Sequence, residues 1–332
     1  MRKAVIVAVA LLCVPFSKAV CANTAPVGRS EVVKNNDVIY DDWLDQSRHR
    51  TVPVKIYLPS KGVAPYPVVI FSHGLGGSRE AAEYLGEYLC SRGYLCVHVQ
   101  HPGSDSSIWK SAAGQGREAI LTKLEPQANG QNALLRIGDI KFVLDELERR
   151  DHGSSPLAGK LDLNKIALAG HSFGAGTTLA IAGQNHWIAN EKMSAGDPRI
   201  KAAIYLSPPC DLRGRTSQQV FGDIRIPGML MTGTNDYSPI GRAGPKERLL
   251  PYEGIGASDQ YLVVFEGGDH MIFSGRSQPG NDSSRDEKFH KMINVMSTAF
   301  LDAYLCGDQQ AKQWLERDAK TFLGTAADYK FK

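Results

Sequence analysis

The sequence predicts an α/β protein with a mostly parallel central sheet and helices on both faces. Three observations carry that prediction. Strand-like and helix-like patterns alternate along most of the chain, and strands joined through helices need crossover connections that bury both faces of a sheet. No Pro-, Gly- or Ser-rich linker interrupts the pattern after residue 22, so residues 23–332 are expected to form a single domain. A short apolar strand runs directly into a glycine-flanked serine and then into a helix.

The chain opens with MRKAVIVAVALLCVPFSKAVCANT, which has the layout of a signal peptide: positive Arg2 and Lys3, an apolar stretch over residues 4–16, and small residues at positions 20 and 22. Cleavage after Ala22 is expected, with a secreted or periplasmic product and no stable membrane insertion after cleavage. Arg2, Lys3 and Lys18 are the only charges in that segment, so the remainder carries 35 basic and 35 acidic residues. A balance that close to neutral gives no electrostatic footprint for nucleic acid.

Residues 51–58 (TVPVKIYL) alternate and are rich in β-branched side chains, which predicts a strand. Residues 68–71 are a short apolar run ended by Gly74. Ala81, Leu85, Tyr88 and Leu89 recur at helical spacing over 80–89, and residues 94–99 return to strand. A weakly patterned stretch follows over 102–132. Next comes an amphipathic helix with Ile137, Ile140, Val143, Leu144 and Leu147 on one face. Residues 166–169 form the strand before the serine, and 173–182 a helix of small residues. Buried-type strands are expected at 200–206, 228–231 and 261–265, and closing helices at 287–305 and 309–322. Cys90, Cys96, Cys210 and Cys306 lie beyond the signal segment with no C-x-x-C spacing, and their pairing is open.

The chemistry starts at Gly170-His171-Ser172-Phe173-Gly174. A tight strand-to-helix turn of this kind lifts the serine hydroxyl above the sheet edge, and glycines flank it because side chains would clash there. The helix that follows aims its N-terminus at the site, where its dipole favours developing negative charge. A hydroxyl needs a base, and in this arrangement serine, acid and histidine follow in chain order. His270, in Glu266-Gly267-Gly268-Asp269-His270 after the last predicted strand, is the expected base. His186 comes too early in that order, and His290 reads as a surface residue of a polar helix. Asp236, after the strand at 228–231, is the preferred acid, and Asp211, one strand earlier, is the alternative. Ser72-His73-Gly74-Leu75-Gly76-Gly77-Ser78 follows the strand at 68–71, and its glycines let a backbone amide curl toward the site. The amides of Leu75 and Phe173 are the expected oxyanion donors, with His73 in a structural role.

These motifs resemble the serine α/β-hydrolases of the bacterial dienelactone hydrolase-like and platelet-activating-factor acetylhydrolase-like group. The resemblance rests on HGLGGS, GHSFGAGT, GTND and GGDHMIFSG, with Trp43 and RTVPVKIYLP upstream, and covers about residues 41–275. It implies the α/β-hydrolase fold and carboxylic ester hydrolysis through an acyl-enzyme. It assigns Ser172, Asp236 and His270 as a triad, with Leu75 and Phe173 at the oxyanion amides. Dienelactone hydrolases proper use cysteine, so Ser172 points to the serine branch.

Arg136 and Asp139, three apart on the amphipathic helix, suggest a local ion pair that contributes little if exposed. Asp105 lies near the site, and Trp109 and Trp187 sit in segments able to overhang it. No long apolar cap is evident outside 102–132. No large lid is therefore expected, and an open, shallow pocket would suit short-chain or exposed acyl esters. No metal spacing, phosphate loop or dinucleotide fingerprint is present, so no cofactor is expected. The predicted function is carboxylic ester hydrolysis on a small-molecule or lipid-like substrate. Amide or peptide hydrolysis with the same triad, and a non-catalytic binding protein on the same scaffold, are the alternatives.

Overall fold

The computed structural model describes residues 37–60, 62–238, 240–241, 243–275 and 283–332, and the expected signal segment lies outside them. The strands are β1 (Asp37–Asp45), β2 (Arg50–Leu58), β3 (Tyr66–Ser72), β4 (Leu95–Val99), β5 (Leu161–His171), β6 (Asn185–Ile188), β7 (Glu191–Ser194), β8 (Ile200–Leu206), β9 (Gly228–Asn235), β10 (Gln260–Asp269) and β11 (Ala327–Phe331). Nine of them form one sheet in the order β1-β2-β4-β3-β5-β8-β9-β10-β11, and β6 and β7 pair as a separate hairpin. The run from β4 to β10 is parallel, β2 joins β4 antiparallel, and β1 and β11 close the two edges antiparallel. This is the mostly parallel, helix-covered sheet of an α/β-hydrolase.

The continuous apolar character of β3 has a direct cause, because both of its faces are covered. Val69 and Phe71 pack into a core with the helices Glu83–Ser91 and Ser283–Leu305. Val68 and Ile70 point the other way, onto Ile140, Val143, Leu144 and Leu147 of the helix Gly130–Arg150. The two-residue period of a strand sorts neighbouring side chains into opposite layers. After β3 the chain moves outward to β4 and then returns to lay β5 on the other side of β3. The carboxyl ends of β3 and β5 therefore flank the point where the strand order reverses, the crevice in which such sheets bind ligands.

Several elements differ from the sequence expectation. β1 and β11 are edge strands that pair on one side only, so half their positions meet solvent and the apolar signal is diluted. In β1, Val38, Tyr40 and Leu44 remain exposed. The stretch 102–132 contains the helices Ser107–Lys110 and Arg117–Leu124. The last expected helix is two, Gln309–Arg317 and Ala319–Leu323, divided at Asp318. Cys90, Cys96 and Cys210 are free thiols, so no two of the four downstream cysteines are bridged to each other. Among the described residues no helix is long and apolar enough to cross a membrane.

Candidate active site

β5 delivers Ser172 at the top of the switch point. Its backbone sits at φ 53°, ψ −118°, outside the comfortable range of a residue with a side chain. The strain is held from both sides: the Ser172 amide donates to the Leu206 carbonyl (2.9 Å), and its carbonyl accepts from Gly176 (3.0 Å) as the helix Phe173–Ala182 begins. Gly174 lies against the end of β3, and a Cβ there would come within 2.8 Å of the His73 carbonyl oxygen. The glycine allows the elbow and β3 to touch backbone to backbone.

His270 leaves β10 in a single tight turn, His270–Phe273. Asp269 caps that turn by accepting from the Met271 amide (2.9 Å) and pairs with Arg285 (2.6 Å), which turns its carboxylate away from the base. His290 is not the surface residue expected from its polar helix. Its ring stacks on Tyr84 at 3.8 Å, and its Nε2 lies 2.9 Å from the Ile272 carbonyl, so it braces the His270 turn from behind. His171, directly before Ser172, is buried with its Nε2 3.0 Å from the His270 carbonyl, and burial drives its imidazole toward the neutral form.

The side chains of Ser172, His270 and Asp236 meet. His270 Nε2 is 2.9 Å from Ser172 Oγ, and His270 Nδ1 is 2.8 Å from Asp236 Oδ1. A carboxylate only accepts, so the contact with Asp236 fixes the proton on Nδ1 and leaves Nε2 free to accept from the serine. Asp236 is fully buried, accepts further from Thr232 Oγ1 (2.8 Å) and Ser207 Oγ (3.0 Å), and forms an ion pair with Arg248 (2.9 Å). Burial alone would raise its pKa. The bonds from His270 and Ser207 and the Arg248 charge outweigh that and hold the carboxyl below its ordinary value. Asp211, the alternative acid, is an exposed side chain paired with Arg213.

Two members of this cluster escaped the sequence reading. Ser207 directly follows β8, at φ 53°, and its hydroxyl lies 2.8 Å from His270 Nδ1 while donating to Asp236. Arg248 is buried and donates to the carbonyls of Ser207 (2.9 Å), Pro208 (3.1 Å) and Asp236 (2.9 Å). The position of Ser207 at a strand end was a usable signal. Arg248 sits in a short helical turn with nothing in its neighbourhood to mark it.

The turn after β3 brings Leu75 to the mouth of the same site. It is pinned by Gly77 donating to the Gly74 carbonyl (3.0 Å) and Gly76 donating to Ser104 (2.9 Å), with Gly76 at φ 72°. The amides of Leu75 and Phe173 take no part in the backbone bonds of the turns and caps among the described residues. His73 is buried within this turn, its Nδ1 2.6 Å from the Gly74 carbonyl.

The local ion pair expected between Arg136 and Asp139 gives way to separate partners for each, and both side chains are fully buried. Asp139 accepts from Arg48 (3.0 Å), Arg50 (2.6 Å) and His101 (3.0 Å), whereas Arg136 turns toward the β3 end. His101 is kept neutral mainly by burial, its pKa lowered to about 4, and its second nitrogen lies 2.9 Å from Ser72 Oγ.

Ser172 and His270 open into a cavity of about 1210 Å³. One wall comes from the stretch 102–132: Trp109, whose indole donates to the Gly76 carbonyl (2.8 Å), and the helical face Arg117, Ile120, Leu121 and Leu124. Pro209, Cys210, Tyr237 and Ile240 form other walls. The stretch of weak periodicity thus folds into one wall of the cavity. Asp105 is buried beside it, held by Gln100 and Ser107, and Trp187 lies apart under Arg215. Among the described residues no cluster of His, Cys, Asp and Glu fits a metal ion.

The family model for platelet-activating factor acetylhydrolase, isoform II, matches residues 47–128. The chain is 27% identical to a platelet-activating factor acetylhydrolase of Cavia porcellus over 79% of its own length and 63% of that protein's. It is 30% identical to the Canis lupus familiaris protein of the same name over 39% of this chain and 34% of that one. It is 25% identical to cutinase 1 of Thermobifida cellulosilytica over 46% of this chain and 43% of that protein. The chain thus spans less than two thirds of the length of these relatives. Together with the sheet topology of an α/β-hydrolase, these likenesses make the chain similar to platelet-activating factor acetylhydrolases and to cutinases.

Proposed function

We propose that the protein hydrolyses carboxylic esters through an acyl-enzyme formed on Ser172. The observation that carries this reading is the relay from Asp236 through His270 to Ser172, with contacts of 2.8 and 2.9 Å, at the mouth of a largely apolar-walled cavity. Ser172 Oγ attacks the ester carbonyl while His270 Nε2 takes its proton, and Asp236 stabilises the imidazolium. The negative charge on the tetrahedral oxygen is held by the amides of Leu75 and Phe173. The proton then passes to the leaving alcohol, and a water deprotonated by His270 releases the acid. The cavity takes a small-molecule or lipid-like ester, and short or exposed acyl groups reach Ser172 without displacing its walls. The reading includes export of residues 23–332, as one catalytic domain, after cleavage at Ala22.

Labelling with a fluorophosphonate and turnover of p-nitrophenyl butyrate test the chemistry. Ser172→Ala is expected to abolish labelling and lower kcat by about 10⁴-fold or more while the fold persists. Unchanged turnover in that variant would sink the proposal. The N-terminal sequence of the exported protein tests the processing site.

A further inference from the structure

We propose that Arg136 is a positioning residue for the oxyanion cradle: its guanidinium clamps the turn after β3 to the elbow and so sets the spacing of the Leu75 and Phe173 amides. This rests on the ester-hydrolase reading above. Arg136 is 0% exposed and lies on the long helix Gly130–Arg150, which packs firmly beneath the sheet. Its Nη1 donates to the His73 carbonyl at 2.7 Å, gripping the point where β3 becomes the turn. Its Nε donates to Ser104 Oγ at 2.8 Å, and the Ser104 carbonyl in turn accepts from the Gly76 amide at 2.9 Å. Leu75 is thus bracketed on both sides by contacts that lead back to one guanidinium. The central carbon of the same group lies over the Phe173 ring, 4.5 Å from its centre.

The choice of partners is what separates this from an ordinary buried ion pair. Burying a cation is costly, and the usual remedy is a carboxylate in direct contact. Here the carboxylate one turn along, Asp139, has its oxygens engaged by Arg48, Arg50 and His101. Arg136 is left to the His73 carbonyl and ring nitrogen, the Ser104 and Ser72 hydroxyls and an aromatic face, none of them an anion. Burial lowers its pKa to about 9, with Asp139 and Asp105 opposing, so it stays charged at neutral pH. A planar cation with several donors in a fixed fork suits this task, because it holds several groups at set angles. An oxyanion cradle gains its effect from donors fixed before the reaction, and displacement by a fraction of an ångström weakens it.

The test uses the full chain with Arg136→Lys, which keeps the charge and loses the fork, and Ser104→Ala, which keeps the guanidinium and loses one strut. The readouts are kcat and KM on p-nitrophenyl butyrate, the thermal midpoint, and the affinity for an alkylboronic acid, whose tetrahedral adduct on Ser172 places an oxygen in the cradle. Arg136→Lys is expected to lower kcat by about 10- to 100-fold, with KM within about twofold and boronic acid affinity falling alongside kcat. Ser104→Ala is expected to lower kcat by about three- to tenfold. A folded Arg136→Lys protein with kcat and boronic acid affinity within about twofold of the parent overturns the proposal, since a purely structural role moves only the thermal midpoint. If Arg136→Lys does not fold, Ser104→Ala decides, and an unchanged kcat overturns the proposal. Loss of any Ser172-dependent turnover in the parent is a separate result: it removes the ester-hydrolase reading and the cradle with it.

Discussion

Gly174→Ala is the most direct test of how the elbow is built. A Cβ at this position would sit 2.5 Å from the Ser72 carbonyl carbon and 2.8 Å from the His73 carbonyl oxygen, where ordinary contact begins near 3.4 Å. Both obstacles are backbone, so no side chain can swing aside. The Ser72 carbonyl oxygen lies closer still, so the start of the helix Phe173–Ala182 must back away from β3 by more than about 1 Å. That movement opens the gap between the Phe173 amide, which travels with the helix, and the Leu75 amide, which stays with the turn. A misplacement of that size is expected to lower kcat on p-nitrophenyl butyrate by about 100-fold. Overpacking should cost a further 1–3 kcal/mol of stability, roughly, in urea unfolding. Gly176→Ala is the internal control. It lies two residues along, and its Cβ would meet only the Pro209 ring at 3.1 Å, so kcat should stay within about twofold. If Gly174→Ala keeps parental kcat and parental stability, the backbone contact between the elbow and β3 is not what sets the site geometry.

Three further outcomes are expected. Ser207→Ala removes a hydroxyl shared by Asp236 and His270 and should lower kcat about tenfold with KM little changed, read by steady-state kinetics. Asp139 is held well below the usual carboxylate pKa by His101 and Arg50, which outweigh the opposing effect of burial, and Asp236 is likewise depressed. Carboxylates more acidic in the folded than the unfolded protein stabilise it above the unfolded pKa near 4 and lose that contribution as pH falls. Urea midpoints should therefore drop steeply below about pH 4, and Asp139→Asn should flatten that drop while costing about 3–5 kcal/mol at pH 7, since Arg48, Arg50 and His101 lose their acceptor. Asp302 runs the other way. Burial raises its pKa to about 6, against the bond from Tyr94, so its ionised form costs stability as pH rises through that value. Asp302→Asn should gain about 1–2 kcal/mol at pH 8 and nothing at pH 4; equal midpoints at both pH values would refute the assignment.

The parts that could be read from the sequence are those fixed by local geometry. The elbow was legible because Gly170 and Gly174 around a serine, between an apolar strand and a small-residue helix, describe one backbone path. The central strands were legible because a sheet covered on both faces leaves uninterrupted apolar runs such as residues 68–71. The edge strands β1 and β11 were not, since a strand with one open side keeps only a weak pattern. Ser207, Arg248 and the Arg136–Ser104–His73 contacts depend on groups 12 to 63 positions apart meeting in space. Periodicity carries no trace of such meetings. The local pairing of Arg136 with Asp139 failed for the same reason: helix spacing says which residues are neighbours, but not that the helix buries that face under two strand ends.

The division of labour among the loops has a practical meaning for redesign. The groups proposed to react ride on the ends of β3, β5, β9 and β10, whereas one wall of the cavity comes from the helical excursion after β4, which contributes none of them. That excursion bears on the machinery through the Trp109 indole and the fit of Leu124 beside Gly76. With those two anchors retained, Arg117, Ile120 and Leu121 become a replaceable facing. A library confined to those three positions would vary what the cavity admits while leaving Ser172, His270 and Asp236 as they are.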